Sequence, residues 1–177
     1  MAAPEVPIDV DPQTGVWSSD GLPMLYVPRH FFINNHRAVE QTLGRAAYAE
    51  QLYEAGFRSA YDWCARTAEA LGLQGIAVFH HYMQRLSQRG WGQFDASGVD
   101  PATGCGDLLV RNSCFVLQAS DGEEPDKRCY MFAGWAPGAL AWVGDALGVC
   151  MRVRAAEATC AAEGHDACTF RLVALDD

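Results

Sequence analysis

The chain has no apolar run long enough to cross a bilayer. Its most hydrophobic uncharged stretch, MFAGWAPGALAWVG over residues 131–144, falls short of the roughly 20 residues needed and carries Pro137 and three glycines. It has no excess of positive charge: 13 Lys and Arg face 22 Asp and Glu, for a net charge of −9 and a pI near 4.9. A surface of that sign repels a phosphate backbone or an anionic membrane, which argues against direct nucleic-acid binding. The opening MAAPEVPIDVDPQTG lacks the basic and apolar regions of an export signal, and residues 1–20 read as a flexible arm. No Walker loop, nucleophile elbow or C-x2-C redox pair is written in the sequence. GCGDLL at 104–109 lacks the third glycine and the following helix of a dinucleotide fingerprint. Nothing in the chain is built to hold a flavin, a nicotinamide or an iron–sulfur cluster, so it lacks the hydride or electron source that a reductase acting alone requires.

What is present is enough for one core. The chain has 177 residues, half of them apolar, which suits a single domain over residues 21–177. Seven cysteines in a chain without an export signal suggest a reducing cytoplasmic setting, where buried thiols or metal ligands are favoured over disulfides. Cys64 falls on a helical run, Cys114 and Cys150 on strand-like runs, and Cys105 in a turn between glycines; none needs a special role.

LPMLYVP (22–28) reads as an edge strand. Asn34 and Asn35 offer N-caps for a helix starting near His36. Helical spacing then runs to about Leu73, with Gly44 and Gly56 dividing it, and LQGIAVFHHYMQRLSQRG (73–90) gives a further helix. WGQFDASGV and GDLLVRNSCFVLQA predict two strands joined across DPATGCG, and SDGEEPDKR (120–128) a charged loop. CYMFAGWAPGALAWVGDALG (129–148) predicts a helix. VCMRVRAAEATC and CTFRLVAL alternate with period 2 on either side of AAEGHDA, which predicts a closing hairpin. Helices first and paired strands later make the fold class α+β, N-terminal helices packed on a C-terminal antiparallel sheet.

That hairpin gathers soft ligands. Glu157, Cys160 and Cys168 form E-x2-C-x7-C around its turn, and zinc takes thiolate and carboxylate ligands at about 2.0–2.3 Å in a tetrahedron. A fourth ligand from elsewhere would pin the hairpin to the body of the domain. His165, in the turn, is a further candidate. The plainer reading is two core thiols and a solvated glutamate.

The ending E-x2-C-x3-G-x3-C-x-F, written by Glu157, Cys160, Gly164, Cys168 and Phe170, resembles the signature of the 4-vinyl reductase domain, which is also similar to the phenol- and xylene-sensing domains of bacterial activators. RGWG (89–92) and CYMFAGWAPG (129–138) match the same pattern, so the resemblance covers roughly residues 75–175. The opening third, with GLPMLYVPRHFFINNH, resembles an uncharacterised proteobacterial family carrying a 4-vinyl reductase domain at its C-terminal end. The resemblance implies zinc held by Cys129, Glu157, Cys160 and Cys168, a closed shell suited to a structural rather than catalytic ion. It also implies that His80 or His81, on the helix whose histidine binds the ligand hydroxyl in phenol sensors, takes part in ligand binding. Trp91, Phe115 and Trp135 are the aromatic candidates for a pocket wall. The sensors' pocket tryptophan has no counterpart in GDLLVRN, so phenol itself is a poor ligand.

The expected function is a non-catalytic module that binds a small apolar or aromatic molecule, carries structural zinc, and signals through a partner such as its own homodimer. The rival is an accessory subunit of an oxidoreductase complex, a methylamine or betaine demethylase or a pigment vinyl reductase.

Overall fold

The computed structural model describes residues 6–118 and 125–175. Of the charged loop expected at 120–128, residues 120–124 lie outside the described residues.

The described residues begin with a small antiparallel sheet of β1 (Asp9–Val10), β2 (Trp17–Ser19) and β3 (Leu22–Met24), in that spatial order. The stretch expected as an arm therefore carries β1 and β2 in its described part. Asp20 and Gly21, at φ 53° and 74°, form the tight β2–β3 turn, the left-handed pair that Asp-Gly adopts readily. Asp20 points inward, its side chain only 3 % exposed, and meets Arg85 at 3.0 Å.

Three helices follow: α1 (Arg29–Leu43), α2 (Arg45–Leu71) and α3 (Ile76–Gln88). α1 starts seven residues before the expected His36, leaving Asn34 and Asn35 exposed in its interior instead of capping it. The earlier start puts Ile33 and His36 on one buried face and sets Phe32 edge-on to Trp91, with centroids 5.2 Å apart. Burying one large apolar side chain is worth about 1.5–3 kcal/mol, more than the ~1 kcal/mol of an asparagine cap. Gly44, at φ 78°, does divide α1 from α2, but Gly56 sits inside α2 without breaking it. A Cβ on Gly56 would lie 2.6 Å from Trp135 Cδ1, so this glycine serves close helix packing and not a break.

Four strands form the main antiparallel sheet, in the order β4-β5-β7-β6: β4 (Gln93–Val99), β5 (Gly106–Arg111), β6 (Val153–Thr159) and β7 (Cys168–Ala174). The strand expected to run on from Arg111 through Cys114 stops instead, because Asn112 turns the chain at φ 52° and Ser113 caps a one-turn helix, α4 (Cys114–Leu117). Cys150 lies before β6, exposed, not in a strand. The expected 129–148 helix is a 3-10 turn over Tyr130–Gly134 leading into α5 (Trp135–Leu147). α2 and α5 approach so closely that a Cβ on Gly134 or Gly138 would run into the backbone of Tyr53 or Phe57. The core lies between these helices and the sheet, with Phe79, Phe132, Leu140 and Phe170 almost wholly buried. The fold class is α+β, as the order of helices and strands predicts. No helix among the described residues is long and apolar enough to cross a membrane.

Candidate metal centre

Along β6 the side chains of Val153 and Ala155 turn inward, and Glu157 follows them by the period of 2. Cys160, three residues beyond Glu157, would by the same period face outward. A bulge removes the conflict: Glu157 pairs with Phe170 but Thr159 pairs with Thr169, so β6 carries one extra residue at Ala158. The extra residue reverses the alternation and brings Cys160 to the same face as Glu157. Cys168 opens β7 on that inner face, in line with Phe170 and Leu172. Cys129 arrives from the other side, at the residue before the 3-10 turn.

The ligand atoms of Cys129, Glu157, Cys160 and Cys168 all lie within 4.8 Å of one another. Cys129 Sγ is 3.4 Å and Cys160 Sγ 3.5 Å from Cys168 Sγ. A disulfide would need about 2.05 Å, whereas the edge of a zinc–thiolate tetrahedron is about 3.8 Å. The three cysteines are fully buried, and the Glu157 carboxylate end is covered although the residue as a whole is only half-buried. Backbone groups fix the ligands. The N–H of Cys129 donates to Glu157 Oε2 at 2.9 Å, that of Ala161 to Cys168 Sγ at 3.3 Å, and that of Cys160 to Glu163 Oε2 at 2.9 Å. Ser113 Oγ also lies within hydrogen-bond distance of Cys129 Sγ, at 2.9 Å. Glu157 Oε1 is buried with no hydrogen-bond partner.

The electrostatics show what the site lacks. Burial, and then the neighbouring Cys160, push the Glu157 carboxyl up to about 9. Hydrogen bonds from Cys129 and Cys160 push the Cys168 thiol down to about 4, while hydrogen bonds to Cys160 and Cys168, together with burial, push Cys129 up. No basic side chain is among the principal causes of these shifts. Four acidic groups thus share a buried volume in which no basic side chain of the described residues figures among the causes of their shifts, one carboxylate oxygen is orphaned, and the donors are three sulfurs and an oxygen. That set fits a tetrahedral dication such as zinc. His165 is exposed in the turn and outside the cluster.

The candidate ligand residues do not converge on one place. Trp91 and Trp135 line a cleft of about 670 Å³ between α2, α3 and β3, with Trp63, Tyr82, Arg89 and Met131. Phe115 lines a different cleft, of about 440 Å³, with His36, Glu40, Arg45 and Tyr130. His80 is exposed, and His81 stacks on Trp63 with ring centroids 5.7 Å apart. Trp63 was open to detection, because Gly56, Ala60 and Trp63 share one buried face of α2 at helical spacing. The chain His36–Tyr130–Glu40 was not. The Tyr130 hydroxyl donates to Glu40 at 2.7 Å and lies 3.1 Å from His36 Nε2, across about ninety residues of sequence.

Residues 2–97 match the family model described as a domain of unknown function (DUF5943). The phenol-responsive sensory domain of the transcription activator PoxR, crystallised with phenol, is similar in structure with a TM-score of 0.73 at 16% identity, covering 93% of this chain and 83% of that one. A vinyl-4-reductase family protein from Methanocaldococcus jannaschii gives a TM-score of 0.53 at 16% identity, covering 86% of this chain and 85% of that one. At this identity the likeness is one of fold, and at that level the expected relation to the 4-vinyl reductase domain holds. No curated protein sequence matches the chain.

Proposed function

We propose that this chain, which belongs to the family described as a domain of unknown function (DUF5943), is a non-catalytic small-molecule-binding domain whose closing hairpin is clamped by structural zinc. The observation that carries the reading is the buried set of three thiols and one carboxylate within 4.8 Å. Cys129, Glu157, Cys160 and Cys168 would hold the ion. Bound there, zinc supplies charge neutralisation and a cross-link, and four protein ligands leave no position for a substrate or an activated water. The chain's own residues do the rest. Glu157, Cys160 and Cys168 bring the β6–β7 hairpin, and Cys129 ties it to the turn that leads into α5.

The ligand site of this reading is the cleft walled by Trp91 and Trp135, whose apolar lining suits a small apolar or aromatic body. The phenol-responsive domain of the same fold supports ligand binding as the role. We take residues 21–177 as one cytoplasmic domain, with residues 1–20 as an arm tied to it through Asp20, and a second copy of the chain as the simplest partner for relaying occupancy. Elemental analysis of the purified protein tests the metal. One zinc per chain is expected in the wild type and none in Cys160→Ser. Wild-type protein free of metal, or a Cys160→Ser variant that keeps it, refutes the proposal.

A further inference from the structure

The 670 Å³ cleft has an apolar wall and an unbalanced set of polar groups. Trp91 and Trp135 meet edge to face with centroids 5.1 Å apart, and Trp63 and Tyr82 lie 4.9 Å apart. Among its described lining residues, the buried polar atoms without a hydrogen-bond partner are Trp63 Nε1 and Arg89 Nε and Nη2. All three are donors, and none can accept. The Arg89 guanidinium lies over the Trp63 ring, 5.5 Å from its centroid, so it stacks on the same indole that carries the other orphaned donor. The carboxylate beside Arg89 is Asp20, whose Oδ2 is 3.8 Å from Arg89 Nη2 but 3.0 Å from Arg85 Nε, and whose Oδ1 accepts from Arg85 Nη2 at 3.0 Å. Two guanidinium groups thus share the single carboxylate of Asp20, which lies close to Arg85 and reaches Arg89 only as an ion pair at 3.8 Å, beyond hydrogen-bond distance. The Arg89 side chain is only 12 % exposed, so water does not make up the loss, and burial draws its pKa down.

Orphaned buried donors cost about 1–3 kcal/mol each, and more when charged. A neutral ligand such as a phenol would leave Arg85 and Arg89 with the one carboxylate of Asp20 between them. A carboxylate accepts from both Arg89 and the Trp63 indole and neutralises the charge, a charge-assisted arrangement roughly twice as strong as a neutral one. We infer that this cleft takes a small carboxylic acid with an aromatic or apolar body, its carboxylate on Arg89 and Trp63 and its body against Trp91 and Trp135. The inference rests on the reading of this cleft as the ligand site and adds the ligand's charge.

The test is titration of the full zinc-loaded chain with benzoate and phenylacetate, and with phenol and phenylacetamide as neutral counterparts, followed by intrinsic tryptophan fluorescence and calorimetry. The acids are expected to bind at least about tenfold more tightly than the neutral probes, the value of one charged hydrogen bond. Arg89→Met should weaken the acids about tenfold to a hundredfold and leave the neutral probes unchanged. Trp63→Phe, which keeps a ring and removes only the N–H donor, should weaken the acids severalfold and covers the case in which Arg89→Met does not fold. Equal or tighter binding of the neutral probes, acid binding indifferent to both variants, or no saturable binding of either acid overturns the inference. Binding of the neutral probes alone would overturn it while leaving the small-molecule module standing, and the zinc content is read separately.

Discussion

Replacing Glu157 by Gln should move stability in opposite directions with and without zinc. In the metal-free protein the carboxyl is pushed from an ordinary 4.5 to about 9 by burial and by Cys160, so it takes up a proton on folding at neutral pH. A raised carboxyl pKa makes metal-free stability fullest below pH 4.5 and erodes it as pH rises toward 9. At pH 7 that penalty is roughly 3 kcal/mol. Glutamine carries no such penalty and can still accept the Cys129 N–H, although its amide N–H groups enter a site with few free acceptors. The expected net gain is about 1–3 kcal/mol, a rise in Tm of roughly 2–10 °C for a chain of this size. With zinc bound the same change removes the oxygen ligand and one negative charge. Because metal-binding energy is folding energy, Tm should then fall by at least about 5 °C. Differential scanning calorimetry of wild type and Glu157→Gln at pH 7, once with chelator and once with zinc, reads both signs. A shift of the same sign in both conditions would refute the reasoning.

Three further outcomes follow from the packing. Gly138→Ala places a Cβ 2.8 Å from Phe57 Cα. Helix propensity alone favours alanine by about 1 kcal/mol, so a measured loss of about 2–3 kcal/mol on urea titration identifies the α2–α5 contact, and a gain contradicts it. Asp20→Ala leaves Arg85 and Arg89 buried without their carboxylate, the side chains being 13 % and 12 % exposed. It should cost about 3–5 kcal/mol and speed amide exchange in β2 and β3, whereas an unchanged Tm contradicts the ion pair. Burial holds the His36 imidazole below its ordinary 6.5, with Arg37 and Arg45 adding to the effect and Glu40 opposing it. A depressed histidine contributes stability above the unfolded pKa that is lost as pH falls, so wild-type Tm should decline below pH 6.5 more steeply than that of His36→Gln. Parallel pH curves would dismiss that role.

The hairpin's share of the buried cluster was legible because it is local: E-x2-C-x7-C encloses one turn, and the alternation of Phe170 and Leu172 sets the face. The bulge at Ala158, which makes Glu157 and Cys160 share that face, leaves no trace in residue type. Asn112 ended β5 early through a left-handed backbone that apolar alternation does not register. Gly56 read as a break because its role, letting Trp135 approach, depends on a helix eighty residues away in sequence. Phe115 was assigned to the same wall as Trp91, but the one-turn helix after Ser113 carries it to the other cleft. The polar groups of the larger cleft were missed for a similar reason. Arg89, at the end of α3, has nothing in its neighbouring residues to mark it, because the carboxylate it shares with Arg85 is Asp20, folded back from the first hairpin.

Zinc K-edge X-ray absorption on the protein as purified tests the clamp most directly. Three sulfur scatterers at about 2.3 Å and one light scatterer at about 2.0 Å are expected, with Cys129→Ser reducing the sulfur count to two. A shell of nitrogen and oxygen alone, or a sulfur count unmoved by Cys129→Ser, would contradict it.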